Sequence, residues 1–191
     1  GVEVLPRERS IDLPALSNPL ALAFQAGGVE LALRGFDLSP SADAGLTAGA
    51  PLTLTLVWQA GGPADLDYTT FVHLLGPDGR VHGQADLLAG GVAGPSSTWA
   101  PGQVLVDRLV LAVDAAAPPG QYQLAIGLYD AASGQRAPVR DDAGVLQVGR
   151  AHAHRALVVM DGEDLIEPDL VAVLALELVH LHNAVGLHHV L

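Results

Sequence analysis

Short apolar runs, many of them alternating with polar residues, follow one another from Pro19 to about Val148. Clusters of Gly, Pro, Asp and Ser separate these runs. Successive side chains of a strand point to opposite faces, so an alternating run predicts a strand with one buried face. Regularly spaced short strands are typical of an all-β fold. We therefore predict a two-layer antiparallel β-sandwich, immunoglobulin-like or jelly-roll, of about seven to nine strands.

The clearest strand is PLTLTLVWQ, residues 51–59, whose alternation predicts a core face made of Leu52, Leu54, Leu56 and Trp58. Residues 68–75 and 80–84 flank a Gly-Pro-Asp-Gly turn and predict a hairpin, because Pro fixes φ and Gly accepts positive φ. Further strands are predicted over residues 104–113 and 121–130. A second predicted hairpin turns at residues 132–134 and continues through residues 135–140 and 144–148.

The chain divides into three segments by pattern. Residues 1–18 carry scattered Pro and charge without a period, which predicts a leader or linker lying against the sandwich of residues 19–150. Residues 151–191 form a His-rich apolar tail with two interpretations: a C-terminal helix, or non-native sequence from a shifted reading frame or from a vector. The tail is a poor membrane span, because Glu177, His180 and Asn183 would lie in hydrocarbon.

Composition excludes several classes of function. The 21 acidic and 9 basic residues give a formal net charge of −12, and without a basic stripe this charge disfavours a nucleic-acid partner. The absence of cysteine excludes a disulfide framework, a thiolate metal site and a thiol nucleophile. Because the chain begins at Gly1 and its one methionine is Met160, we expect it to be a piece of a longer protein.

Four runs carry a resemblance to a known family: PLTLTLVWQA, DYTTFVHLLGPDGRVHGQAD, PSSTWAPGQVLVDRLVL and APPGQYQLAIGLYDAASGQRAPV. Within them, aromatic and turn residues follow one another in a characteristic order. Trp58 ends one strand, and Tyr68 and Phe71 begin the next; Trp99 then precedes Pro101 and Gly102, and Pro119 to Tyr122 precede Gly127 to Asp130. This order, over about residues 29–140, resembles the C-terminal extracytoplasmic β-sandwich of bacterial membrane glycosyltransferases of the dolichyl-phosphate-mannose mannosyltransferase type.

The resemblance implies a non-catalytic accessory domain outside the membrane, at the cell surface or attached to the membrane. Its expected partners are a membrane-embedded parent domain and a glycan or lipid-linked sugar. The chain contains neither the membrane spans of such a parent nor the acidic catalytic motif of its enzymatic body. No catalytic residue is therefore carried over from the family.

The residues themselves offer little for catalysis or metal binding. Ser96, Ser97, His73 and His82 include the components of a nucleophilic triad, but no GxSxG elbow accompanies them. The carboxylates that could act in glycoside hydrolysis or bind Ca²⁺ are better explained as turn and strand-edge residues: Asp65, Asp67, Asp86 and Asp107. The tail histidines lack acidic or cysteine partners for Zn²⁺ or Ni²⁺. We predict no catalytic residue, no metal and no cofactor.

Three aromatic residues are the candidate ligand-binding residues: Trp99, Tyr68 and Tyr129. Trp99 lies in a Gly/Pro/Ser-rich loop at residues 88–102, and loops of this length are often functional. Exposed aromatic faces stack on sugars, while neighbouring polar groups bind hydroxyls. Tyr68 and Tyr129 have a second interpretation as corner tyrosines, whose hydroxyls tie a strand to a loop.

Three hypotheses of function follow. The first is the accessory domain that contacts glycan or lipid-linked sugar through the Trp99 loop. The second is a protein-protein interaction or spacer module of a secreted or cell-surface protein, for which an exposed apolar patch would be the sign. A free-standing hydrolase is the third, and it would require an acid pair in a deep cleft.

Overall fold

The computed structural model describes residues 9–41, 45–140, 146–147 and 173–174 of the chain. In these residues the strands are β1 (Asn18–Ala26), β2 (Val29–Ser39), β3 (Pro51–Ala60), β4 (Tyr68–Leu75), β5 (Val81–Leu88), β6 (Val104–Ala112), β7 (Gln123–Asp130), β8 (Val139–Arg140), β9 (Leu146–Gln147) and β10 (Val173–Leu174). Two short 3-10 helices, Gly91–Ala93 and Ser96–Thr98, lie in the loop between β5 and β6.

The strands form two antiparallel sheets. The larger sheet has the order β6-β3-β2-β1-β8, extended at one edge by β9, and the smaller sheet has the order β7-β4-β5, extended by β10 beside β7. All strand pairings in the described part of the chain are antiparallel. The predicted fold class, an all-β two-sheet sandwich, is confirmed.

The core lies between the two sheets and is built as the alternation predicted. In β3 the inward residues Leu52, Leu54, Leu56 and Trp58 are all fully buried. In β7 the same holds for Leu124, Ile126 and Leu128, which follow the buried Tyr122. Each large apolar side chain removed from water contributes roughly 1.5–3 kcal/mol, so this face of each strand fixes its orientation toward the core.

The β4–β5 hairpin forms as predicted. Gly79 has φ 72°, and its N–H donates to the carbonyl of Gly76 at 2.9 Å, closing the turn. The Gly76 N–H donates to the carbonyl of Arg80 at 2.9 Å on the other side of the turn. Positive φ disfavours most residues with a Cβ, so glycine is the favoured residue at position 79.

The second hairpin forms, but its returning arm then leaves the sheet. The Asp130 N–H donates to the Gln135 carbonyl at 2.8 Å, and Tyr129 bridges Arg136 beside β7. A few residues later β8 pairs with β1 of the larger sheet, where Val139 is opposite Phe24. The chain therefore crosses from one sheet to the other after residue 137 and closes one side of the sandwich. Of the strand predicted at residues 144–148, the structure describes only residues 146–147, which form β9 and pair with β8.

Residues 9–17 lie against the larger sheet. The carbonyl of Ser10 accepts the Val104 N–H at 2.7 Å, and the Asp37 carboxylate accepts the Ser17 N–H at 2.8 Å. The side chain of Leu16 lies so close to Gly35 that a Cβ there would be 2.7 Å from it. Residues 9–17 therefore hydrogen-bond to β6 and pack against β2.

The helix predicted for the tail falls outside the described residues, except that Val173–Leu174 forms the short strand β10. No helix within the described ranges is long and apolar enough to cross a membrane.

Candidate functional site

Trp99 lies inside the protein and holds its loop in place. Its side chain is 1% exposed, and its Nε1–H donates to the carbonyl of Gly94 at 2.9 Å. The indole lies against Gly90, where a Cβ would be 2.7 Å from Nε1. The expectation that Trp99 presents an exposed aromatic face is wrong, because the loop folds back over the indole and satisfies its N–H within the fold.

Tyr68 is also buried, at 6% exposure, so it presents no stacking face either. Its hydroxyl donates to Asp65 Oδ1 at 3.1 Å and so ties the start of β4 to the preceding loop, as the corner interpretation predicted. Burial, together with the charges of Asp65 and Asp130, raises the pKa of Tyr68 to about 12. The phenol is therefore a neutral hydrogen-bond donor at physiological pH.

The serines of the same loop are structural. Ser96 is fully buried, its hydroxyl donates to the Leu66 carbonyl at 2.8 Å, and its oxygen accepts the Tyr68 N–H at 2.9 Å. The Ser97 N–H donates to Asp67 Oδ1 at 3.3 Å. Neither His73 nor His82 hydrogen-bonds these hydroxyls, so the residues considered for a triad do not form one.

Tyr129 is partly exposed on the outer face of the smaller sheet. Antiparallel register places nine outward residues of β5, β4 and β7 in three rows, which we call the outer grid. The rows are Gln84, His73 and Ala125, then Asp86, Phe71 and Gly127, then Leu88, Thr69 and Tyr129. Of the predicted ligand-binding residues, Tyr129 alone lies on this surface.

Arg136 reaches onto the outer grid from the far side of β7. Its backbone bridges Tyr129, and its guanidinium lies 4.6 Å from the centroid of the Phe71 ring. Gly127 leaves room for that ring, since a Cβ at this position would collide with it. Phe71 and Tyr129 lie 6.2 Å apart between centroids, a distance typical of an interacting aromatic pair. Phe71 thus supports Arg136 and Tyr129 rather than meeting a ligand itself.

His73 contributes a neutral side chain to the outer grid. Partial burial is the main cause that lowers its pKa, the nearby Arg136 charge lowers the pKa further, and Asp86 opposes both. The lowered pKa favours the uncharged imidazole at pH 7. Among the outer-grid residues and Arg136, the cation is Arg136 and the anion is Asp86, which is exposed on β5.

The four aspartates considered for metal binding lie apart. Asp65 and Asp67 belong to the loop before β4, Asp86 lies on the outer grid, and Asp107 points into the core from β6 with 1% exposure. Within residues 9–41 and 45–140, no three metal-binding side chains come together. The tail histidines lie outside the described residues.

Sequence reasoning missed Phe71, Asp86 and Arg136 as neighbours of Tyr129. The alternation in residues 68–75 already placed Phe71 and His73 on the face opposite Tyr68, which was the available signal. Arg136 gave no signal, because its position depends on the hairpin after β7.

The outer grid and Arg136 together place a partly exposed phenol, a carboxylate, a guanidinium and an amide on one sheet face, and these groups can hydrogen-bond the hydroxyls of a polyhydroxylated ligand. No protein-family model, no curated protein and no solved structure matches this chain.

Proposed function

We propose that this protein is a non-catalytic accessory β-sandwich of a membrane glycosyltransferase-like protein, located outside the membrane. In this proposal it contacts a glycan or lipid-linked sugar through the outer grid, not through the Trp99 loop. The observation that carries the proposal is Tyr129, a partly exposed aromatic side chain on the outward face of the smaller sheet, with the exposed side chains of Asp86 and Arg136 on the same face. The link to a glycosyltransferase rests on the resemblance of residues 29–140.

The chemistry of the outer grid suits a sugar. A pyranose presents C–H groups on one face, which pack on an aromatic ring, and hydroxyls at its edge, each able to donate and accept. Tyr129 supplies the ring, Arg136 donors, and Asp86 an acceptor. A side chain held by a neighbouring ring loses less conformational entropy when it binds, so the stacking of Arg136 on Phe71 favours recognition.

The proposal is tested by titrating the full chain with oligosaccharides and following amide chemical shifts by NMR. We expect shifts to concentrate on β4, β5 and β7, and we expect Tyr129→Ala to weaken binding about tenfold, as loss of a stacking side chain would. Thr55→Ala is the matched control, because Thr55 lies on the outward face of β3 in the other sheet. Shifts that appear only around the larger sheet, or no shifts with any oligosaccharide, would refute sugar binding by the outer grid.

A second candidate is the interaction or spacer module. Its supporting observation is a pair of exposed apolar side chains, Val106 (55%) and Val110 (58%), on the outward face of the edge strand β6. Ile11, 68% exposed, lies next to Ser10, which is hydrogen-bonded to the start of the same strand. Exposed apolar residues grouped in this way favour contact with another protein surface.

The absence of cysteine gives this second candidate a clean test. A Val106→Cys variant carries a single thiol, whose labelling rate is compared between the purified chain and cells that make the natural protein. Protection in cells supports a docked partner, with Val92→Cys as the control because Val92 is fully exposed in a loop. Equal labelling of both thiols in cells would count against an interface at β6.

A further inference from the structure

We infer that the ligand of the outer grid is an uncharged sugar ring, held between Arg136 as hydrogen-bond donor and Asp86 as acceptor, and that acidic sugars are rejected. This inference rests on the proposed sugar-binding function and narrows it to one class of ligand. It is carried by the positions of two exposed charged side chains on the face that holds Tyr129: Arg136, over Phe71, and Asp86, opposite Phe71 on β5.

The donor side of the site is Arg136. Its guanidinium is placed over Phe71, and in the described part of the chain no hydrogen bond or ion pair engages it. A guanidinium carries five N–H donors in a rigid fork and no acceptor. Stacking on an aromatic ring leaves the edge of that fork, where the N–H groups point, open to a ligand.

The acceptor side is Asp86, which is opposite Phe71 across the β4–β5 ladder. It is exposed, and as an ionised carboxylate it only accepts hydrogen bonds. Arg136 reaches Phe71 from the β7 side and Asp86 lies on β5, so donor and acceptor lie on opposite sides of β4. Adjacent hydroxyls of a sugar satisfy both at once, because each hydroxyl donates to the carboxylate or accepts from the guanidinium.

Charge selects against acidic ligands here. A carboxylate or phosphate on the sugar would be attracted by Arg136 but repelled by Asp86. The pKa of His73 is lowered, so its imidazole favours the neutral form and does not add a second cation. The chain as a whole carries a formal net charge of −12, which also opposes the approach of an anion. Like charges at an interface suppress wrong partners, so Asp86 acts as the element that discriminates.

The test is calorimetric titration of the full chain with two matched pairs of probes: β-1,4-linked oligoglucose against β-1,4-linked oligoglucuronate, and α-1,4-linked oligogalactose against α-1,4-linked oligogalacturonate. We expect at least one neutral probe to bind about tenfold more tightly than its acidic counterpart. We expect Asp86→Asn to remove most of that difference, because the amide keeps an acceptor but loses the charge.

The donor role is tested with Arg136→Gln. We expect this variant to bind the neutral probe about tenfold more weakly, because the charged hydrogen bonds are lost. Arg108→Gln is the control, since Arg108 is exposed on β6 of the larger sheet. An unchanged far-UV circular dichroism spectrum shows that each variant is folded. If no probe binds, the proposed function itself fails. If the acidic probes bind as tightly as the neutral ones, or Asp86→Asn leaves the preference unchanged, sugar binding stands and the inference about charge is overturned.

Discussion

At the scale of single residues, the least expected side chain is Asp107. It lies on β6 and points into the core, where Oδ2 accepts the Gly90 N–H at 3.1 Å. Its other oxygen, Oδ1, and the buried indole N–H of Trp58 both lack a well-formed hydrogen bond within the described residues. Burial is the main cause that raises the pKa of Asp107 to about 6, and the Gly90 and Trp58 N–H groups oppose it only in part.

This pKa predicts how stability changes with pH. The folded pKa of about 6 lies above the ordinary value of 3.8, so the folded state holds the proton more tightly than the unfolded state. The contribution of Asp107 to the free energy of unfolding is therefore largest below about pH 4 and is lost as pH rises through 6. The difference amounts to about 3 kcal/mol at most.

Asp107→Asn removes the titrating group, so the free energy of unfolding of the variant minus that of the natural chain should increase between pH 4 and pH 7. Urea denaturation at several pH values measures this difference. Asp86→Asn is the control, because Asp86 is exposed. A constant difference between Asp107→Asn and the natural chain across this range would show that Asp107 does not carry the effect.

Two tyrosines form a matched pair for a second prediction. The Tyr122 hydroxyl donates to the Pro118 carbonyl at 2.6 Å, a corner contact that sequence reasoning assigned to the other tyrosines. Tyr122→Phe should lower the free energy of unfolding by about 1 kcal/mol, since a partly buried carbonyl loses its donor. Tyr129→Phe should leave it unchanged, because no hydrogen bond to its hydroxyl is found among the described residues. Equal effects in urea denaturation would contradict the corner role.

At the scale of elements, β4 and β7 show how one strand serves both core and surface. Their inward residues fill the core, while outward Phe71 packs against Gly127 of the next strand. The alternation of each strand was predictable from the sequence, because it depends only on local geometry. The contact between Phe71 and Gly127 was not, because it depends on the register between strands that are far apart in the chain.

Gly127→Ala tests this contact. Its Cβ would collide with the Phe71 ring and displace Arg136, so we expect a loss of about 1–3 kcal/mol in the free energy of unfolding and weaker sugar binding. Gly62→Ala is the control, because a Cβ there meets only Val29, at 3.3 Å, and Pro101, at 4.0 Å. Denaturation and sugar titration together measure the two effects. If Gly127→Ala binds sugar as the natural chain does, Phe71 does not position the site.

At the scale of the whole molecule, the formal net charge of −12 and the neutral ligand give a further prediction. Salt screens charges beyond about 10 Å at 0.1 M, so binding of an uncharged sugar should change less than threefold between about 0.05 and 0.5 M NaCl. Calorimetry at the two salt concentrations measures this. A large rise in affinity with salt would indicate an anionic ligand whose repulsion by the protein had been screened.

The sequence by itself determined the fold class, most strand positions and the core face of β3, because side-chain period and turn chemistry are local properties. Tertiary structure alone decided that Trp99 is buried, that Asp107 points inward and that β8 leaves the sheet of β7 to pair with β1. It also decided the outer grid, in which Asp86, Phe71 and Arg136 become neighbours. These features depend on which strands pair and in what register, and pairing is settled by the packing of the whole core rather than by any one segment.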